Sequence, residues 1–83
     1  MQYTKEWAEA KIASGLGMSI DEIPSTPNDL RHLRDILTRE HTEYSEEIDL
    51  AIQHKYDRFA IRRLLCKQMD ASTLLDAVNT LLK

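Results

Sequence analysis

The chain has 83 residues, of which 42% are hydrophobic and 30% are charged, and its formal net charge at pH 7 is −3. A folded chain of this length buries only about 60% of the surface that it exposes when unfolded, so two separate cores are excluded and a single domain over residues 1–83 is expected. The hydrophobic content exceeds that of disordered sequences, and the net charge excludes a strongly basic nucleic-acid-binding protein while leaving room for a local basic patch.

The distribution of helix breakers and β-formers indicates the fold class. Both glycines and both prolines lie between Gly15 and Pro27, and the remainder of the chain contains neither residue type. The sequence has one valine and one phenylalanine, whereas strands prefer β-branched and aromatic residues. A single helix beyond Pro27 would leave its apolar face without a partner, so this segment is expected to fold back on itself. We therefore predict an all-α protein, a small bundle of four to five short helices.

The first helix is expected over residues 4–14. Thr4 is a suitable N-cap, apolar residues recur at helical steps from Tyr3 to Leu16, and Gly15 or Gly17 can adopt the left-handed conformation that ends the helix.

A short helical turn and a third helix follow. Residues 19–22 have the spacing of a capping box, and Pro24 ends this turn. Thr26 can cap the next helix with Pro27 at its first position, and we expect that helix to end near His41. Its apolar face would consist of Leu30, Leu33, Ile36 and Leu37.

A fourth helix is expected to begin at Thr42 or Ser45, where neighbouring acidic residues favour a helix start. The apolar periodicity shifts phase after Tyr56, and Asp57 is a suitable N-cap at the shift. Because no glycine or proline enforces a break, residues 45–69 form either two helices or one kinked helix.

The last helix is expected to begin at Asp70 or Ser72, and it has a wide apolar face near the end of the chain. Either the core of the domain or a second chain can cover such a face, and we favour a homodimer. The predicted partner or dimer interface consists of Trp7, Leu74, Val78, Leu81 and Leu82.

Charge is distributed in two opposite blocks. Residues 40–49 are strongly acidic and residues 55–67 are strongly basic. Three interpretations are open: solvated faces of little energetic value, contacts with a partner protein or second subunit, and a surface that contacts phosphate. The predicted charged contact stripe consists of Lys55, Arg58, Arg62 and Arg63.

No arrangement of residues predicts catalysis or metal binding. His32, His41 and His54 lack the three- or four-residue spacing that places two ligands on one helical face. Cys66 is the single cysteine, so the chain can form neither an internal disulfide nor a thiolate cluster, and a small buried residue is the simpler interpretation of it. We expect no enzymatic activity, no metal and no cofactor.

The sequence shows neither a signal peptide nor an apolar run long enough to cross a membrane, so a cytoplasmic location is expected. The leading hypothesis is a small non-catalytic helical protein that acts by protein–protein interaction, as an adaptor, inhibitor or regulator of a partner protein. The alternative is a small nucleic-acid-binding regulator that uses the basic stripe at 55–67.

Overall fold

The computed structural model describes residues 3–83, which form three α-helices and one short 3-10 helix. Helix α1 spans Lys5–Leu16, the 3-10 helix spans Ile20–Glu22, α2 spans Pro27–Gln53 and α3 spans Arg58–Leu82. These residues contain no strand, so the all-α prediction is confirmed. The prediction of four to five short helices is wrong, because two long helices replace the four segments that we expected beyond Thr26.

Helix α1 begins and ends where local chemistry predicts. The Thr4 side chain accepts a hydrogen bond of 3.1 Å from the backbone N–H of Trp7. At the other end Gly17 has a φ of 66°, and its N–H donates to the carbonyl of Ala13. Glycine adopts this left-handed conformation without the steric cost that a Cβ atom imposes.

The two long helices also start at side-chain caps. The Thr26 hydroxyl accepts from the backbone N–H of Asp29 at 3.3 Å. The Asp57 carboxylate accepts from the N–H groups of Phe59 and Ala60, so α3 begins at the predicted phase shift. Of the two alternatives for residues 45–69, the structure has the one with a break.

Two other predicted breaks are absent. Thr42, expected as a cap, donates its hydroxyl to the Thr38 carbonyl at 3.0 Å and lies inside α2. Asp70 and Ser72 likewise lie inside α3. Serine and threonine can cap a helix or bond to the carbonyl four residues earlier, so their presence alone does not end a helix.

The core lies at one end of the molecule, where all three helices meet. Helix α1 runs antiparallel to α3, since Lys5 and Glu9 lie near Leu81 whereas Gly15 lies against Leu74. The buried residues of this cluster come from the first part of α2 and the last part of α3 as well as from α1; they are Ala8, Ile12, Leu30, Leu37, Ala77 and Val78.

Beyond the end of α1 the molecule consists of α2 and α3 alone. These helices pack antiparallel, with a hydrogen bond from the Gln68 amide to the Ser45 hydroxyl and with Ile48 and Ala51 buried. We call residues 43–69 the distal hairpin. The principal extents of the molecule are 42 × 25 × 20 Å, so the hairpin extends the domain along one axis.

Candidate interaction surface

Large apolar side chains are exposed mainly on the distal hairpin. Phe59 is 81% exposed and Met69 is 68% exposed. Of the ten exposed large hydrophobic residues within residues 3–83, six lie in the distal hairpin: Leu50, Ile52, Tyr56, Phe59, Leu65 and Met69. This end of the molecule therefore has apolar surface that the chain does not cover.

One row of side chains along α3 combines basic and apolar character. Arg58, Arg62, Leu65 and Met69 follow one another at four-, three- and four-residue steps, which places them on one side of the helix. All four are exposed. We call this row the α3 stripe. Ile61, which is half-buried, completes a shallow depression with Arg58, Arg62 and Leu65.

The structure separates the other two residues of the predicted charged stripe from Arg58 and Arg62. Arg63 lines a different depression, together with Glu47, Leu50 and Tyr56. Lys55 lies in the loop between α2 and α3 and has a φ of 55°. The predicted basic stripe is therefore not one surface. Arg58 and Arg62 lie together on the α3 stripe, whereas Arg63 lines a separate depression and Lys55 lies in the loop.

No ion pair joins the acidic and basic blocks within the described residues. Within residues 3–83 the structure has one ion pair, between Lys5 and Glu9 at 3.8 Å, and it lies on α1. Neither Arg58 nor Arg62 is within ion-pair distance of a carboxylate of α2. Their charges are therefore solvated and remain available to a binding partner.

The position of Arg58, in the first turn of α3, opposes the dipole of that helix. Residues 58–69 contain four basic residues and no Asp or Glu, and the first turn of α3 has no acidic residue. Cations near a helix N-terminus are unfavourable, by about 0.3–1 kcal/mol each when exposed. Asp57 at the N-cap offsets part of this effect. An arrangement that lowers stability without an internal contact is typical of a surface kept for binding.

The predicted apolar interface lies against α1 of the same chain. Val78 is fully buried, and Leu74, Leu81 and Leu82 are half-buried beside the core cluster. Leu74 is in contact with Gly15, where an added Cβ would lie 2.7 Å from the Cδ2 atom of Leu74. This face has an intramolecular partner, and a further role in binding another chain stays a prediction.

Trp7 shares this location. Its ring stacks on Tyr3 with centroids 4.1 Å apart and planes inclined by 9°, and it packs against the core cluster. Trp7 is half-buried, and Tyr3 is 47% exposed. The stacked pair thus covers one side of the core at the α1 end, away from the distal hairpin.

The described residues contain no cluster of metal-binding side chains. No group of three or more His, Cys, Asp or Glu side chains in residues 3–83 could hold a metal ion. Cys66 is exposed on α3, contrary to the expectation of a buried residue. None of the helices that the structure describes has the length and hydropathy required to span a bilayer.

The apolar residues of the α3 stripe were not predicted to be on the surface. Leu65 and Met69 belong to the apolar series that follows the phase shift after Tyr56, and periodicity alone does not show which of these residues are exposed. A usable signal was present, because Arg58 and Arg62 continue the same row at helical steps and an unpaired arginine is rarely buried.

Comparison with protein-family models, with curated proteins and with solved structures finds no match to the chain.

Proposed function

We propose that the protein is a small non-catalytic binding protein that acts by protein–protein interaction, as an adaptor, inhibitor or regulator of its partner. We place the binding surface on the distal hairpin. The observation that carries this proposal is the exposure of apolar side chains, above all Phe59 and Met69, on the distal hairpin, which α1 does not cover. Leu50, Tyr56 and Leu64 line one depression of this hairpin, and Ile61 and Leu65 line another. Exposed apolar surface rimmed by polar residues is typical of interaction sites.

The residue types on this surface support binding to a protein. Aromatic residues, methionine and arginine are enriched in protein interfaces, and aromatic and arginine side chains often contribute most of the binding energy. The distal hairpin exposes Tyr56, Phe59 and Met69 beside Arg58 and Arg62. Because Phe59 is only 19% covered by its own chain, binding rather than folding accounts best for an aromatic residue at this position.

The alternative is binding to nucleic acid through Lys55, Arg58, Arg62 and Arg63. In its favour, these side chains are exposed and make no ion pair within the described part of the chain. Against it, the net charge is −3, and the aromatic side chains do not form a row on which bases could stack. Phosphate binding would also leave Leu65 and Met69 in water.

Affinity capture from a lysate of the source cells tests the proposal. The bait proteins are the wild type, a Phe59→Ser/Met69→Ser double variant, and Ile20→Ser as the control, since Ile20 is 55% exposed at the opposite end of the molecule. Circular dichroism establishes that all three are folded. We expect a defined protein that the wild type and the control retain after nuclease treatment and that the double variant loses.

Two results would contradict the proposal. Equal capture by the wild type and the double variant would remove the distal hairpin as the binding surface. The alternative would be established if the protein captured nucleic acid that dissociates at high salt. Arg58→Ala or Arg62→Ala should then lower the affinity for nucleic acid to a similar extent for all sequences. A second copy of the chain is one protein partner that this design can detect, and sedimentation equilibrium over a range of concentrations measures the predicted homodimer directly.

A further inference from the structure

We infer that the partner presents an acidic amphipathic helix, which lies along the α3 stripe of Arg58, Arg62, Leu65 and Met69. This inference rests on the proposed function and specifies the chemistry of the partner. Three observations carry it: the mixed basic and apolar character of the stripe, the lack of internal partners for its arginines, and the carboxylates that bound it.

The shape of the stripe suits a helix. Its four side chains extend over three turns of α3, about 16 Å at ~1.5 Å per residue. Leu65 is 43% exposed and Met69 is 68% exposed, so both have apolar surface to offer a second helix. The depression that Arg58, Ile61, Arg62 and Leu65 form is a place where one side chain of that helix can insert.

The charge of the stripe determines the charge of its partner. Arg58 and Arg62 have no carboxylate within ion-pair distance, and no Asp or Glu occurs in residues 58–69. A partner carboxylate would therefore meet two guanidinium groups, which can each form paired hydrogen bonds with it. A basic partner would encounter uncompensated repulsion at the same position. We accordingly expect Asp or Glu beside the apolar residues of the bound helix.

The length of the stripe limits the bound segment. Asp70 directly follows Met69, and Asp76 lies seven residues beyond Met69 on the same side of α3. Both aspartates are exposed and would repel acidic residues of a longer partner. The recognised segment is therefore three to four turns long. A nucleic acid or a flat anionic membrane that continued past Met69 would meet these carboxylates, and its phosphates would leave Leu65 and Met69 uncovered.

Selection from a displayed peptide library tests the inference without knowledge of the natural partner. The library consists of helix-forming peptides of about 18 residues, or five turns, with all surface positions randomised over acidic, basic and apolar residues. It is selected on the immobilised full-length protein. We expect the enriched peptides to have apolar residues at positions i, i+3 or i+4, and i+7, with Asp or Glu flanking them.

Matched variants locate the binding site of the selected peptides. Arg62→Glu should weaken binding at least about tenfold, whereas Arg31→Glu makes the same substitution on exposed surface near the start of α2, at the opposite end of the molecule, and should have little effect. Met69→Ser should weaken binding, whereas Ile20→Ser should not. A DNA duplex and phosphatidylserine vesicles serve as competitors, and we expect neither to displace the peptide at physiological salt.

Several outcomes would overturn the inference. Enriched peptides that are basic or uncharged, or acidic peptides that bind Arg62→Glu as tightly as the wild type, would exclude the α3 stripe as an acidic-helix site. Displacement by the duplex or the vesicles would assign the stripe to phosphate. If no peptide is enriched, the inference fails, and the lysate experiment with the Phe59 and Met69 variants still decides separately whether the distal hairpin binds a protein.

Discussion

The structure predicts a large effect on stability for one apolar residue of α3 and a small effect for another. Val78 has no exposed surface, whereas Phe59 is 81% exposed. Val78→Ala removes two methyl groups from the core, which costs about 1.6 kcal/mol at ~0.8 kcal/mol per buried CH₂ group. The residual cavity adds to this loss, so the free energy of unfolding should fall by roughly 2 kcal/mol. Phe59→Ala removes a larger side chain but should change stability by less than about 0.5 kcal/mol.

These differences are large enough to measure in a small domain. A chain of 83 residues has a free energy of unfolding of about 4–12 kcal/mol. Val78→Ala should lower the melting temperature by roughly 8–16 °C, since each kcal/mol shifts a domain of this size by about 4–8 °C. Urea denaturation followed by far-ultraviolet circular dichroism gives the free energies, and Trp7 fluorescence reports on the core independently, because Trp7 packs against it.

A charged substitution at the same site extends the comparison. Val78→Asp places an unpaired carboxylate among apolar residues, which costs several kcal/mol in addition to the lost packing. We expect this variant to be largely unfolded, while Phe59→Asp stays folded. If Val78→Ala and Phe59→Ala destabilise the protein equally, or if Val78→Asp melts like the wild type, the assignment of the core to the α1 end is refuted.

Three further predictions concern the helix ends. Gly17→Ala should lower the free energy of unfolding by roughly 1–2 kcal/mol because the φ of 66° strains any residue with a Cβ atom, and Gly17→Asn should recover part of this loss in the same urea titration. Asp57→Ala should cost about 1 kcal/mol through loss of the cap of α3, whereas Asp57→Asn should retain most of the stability; equal losses would show that the cap is unimportant. Arg58→Glu should raise the free energy of unfolding by about 0.3–1 kcal/mol at low salt, because a carboxylate suits the N-terminus of α3 better than a guanidinium does. The same variant should bind the acidic peptides more weakly. A lower free energy of unfolding for Arg58→Glu than for the wild type would contradict the dipole effect.

The sequence predicted the helical class and the caps at Thr4, Thr26 and Asp57 because these features depend on local interactions. Thr4, Thr26 and Asp57 each bond to backbone groups two or three residues away, and those bonds are the same whatever the remainder of the chain does. The number of helices was not predictable in this way. Thr42 and Ser72 can cap or continue a helix, and the choice depends on whether a neighbouring helix continues beside them. Helices α2 and α3 pack along each other through both positions, and therefore neither breaks.

The candidate site was predictable only in part. The basic block was evident in the sequence, but its division into the α3 stripe and the separate position of Arg63 depends on how α3 rotates against α2. The apolar face around Val78 illustrates a second limit. Periodicity shows that such a face is covered, but it does not show whether α1 or another chain covers it. Here α1 does so with the fully buried side chains of Ala8 and Ile12.

Helix α3 has apolar residues along its whole length, yet they have different roles in its two halves. In the second half Ala77 and Val78 are fully buried, where α1 and α2 both reach them. In the first half Leu65 and Met69 share a row with Arg58 and Arg62, and burying an unpaired guanidinium costs several kcal/mol. No helix of this chain can therefore cover that row without supplying carboxylates, and α1 ends before reaching it. A partner helix that supplies the carboxylates removes this cost, and for this reason we expect the exposed row to be completed by an acidic partner.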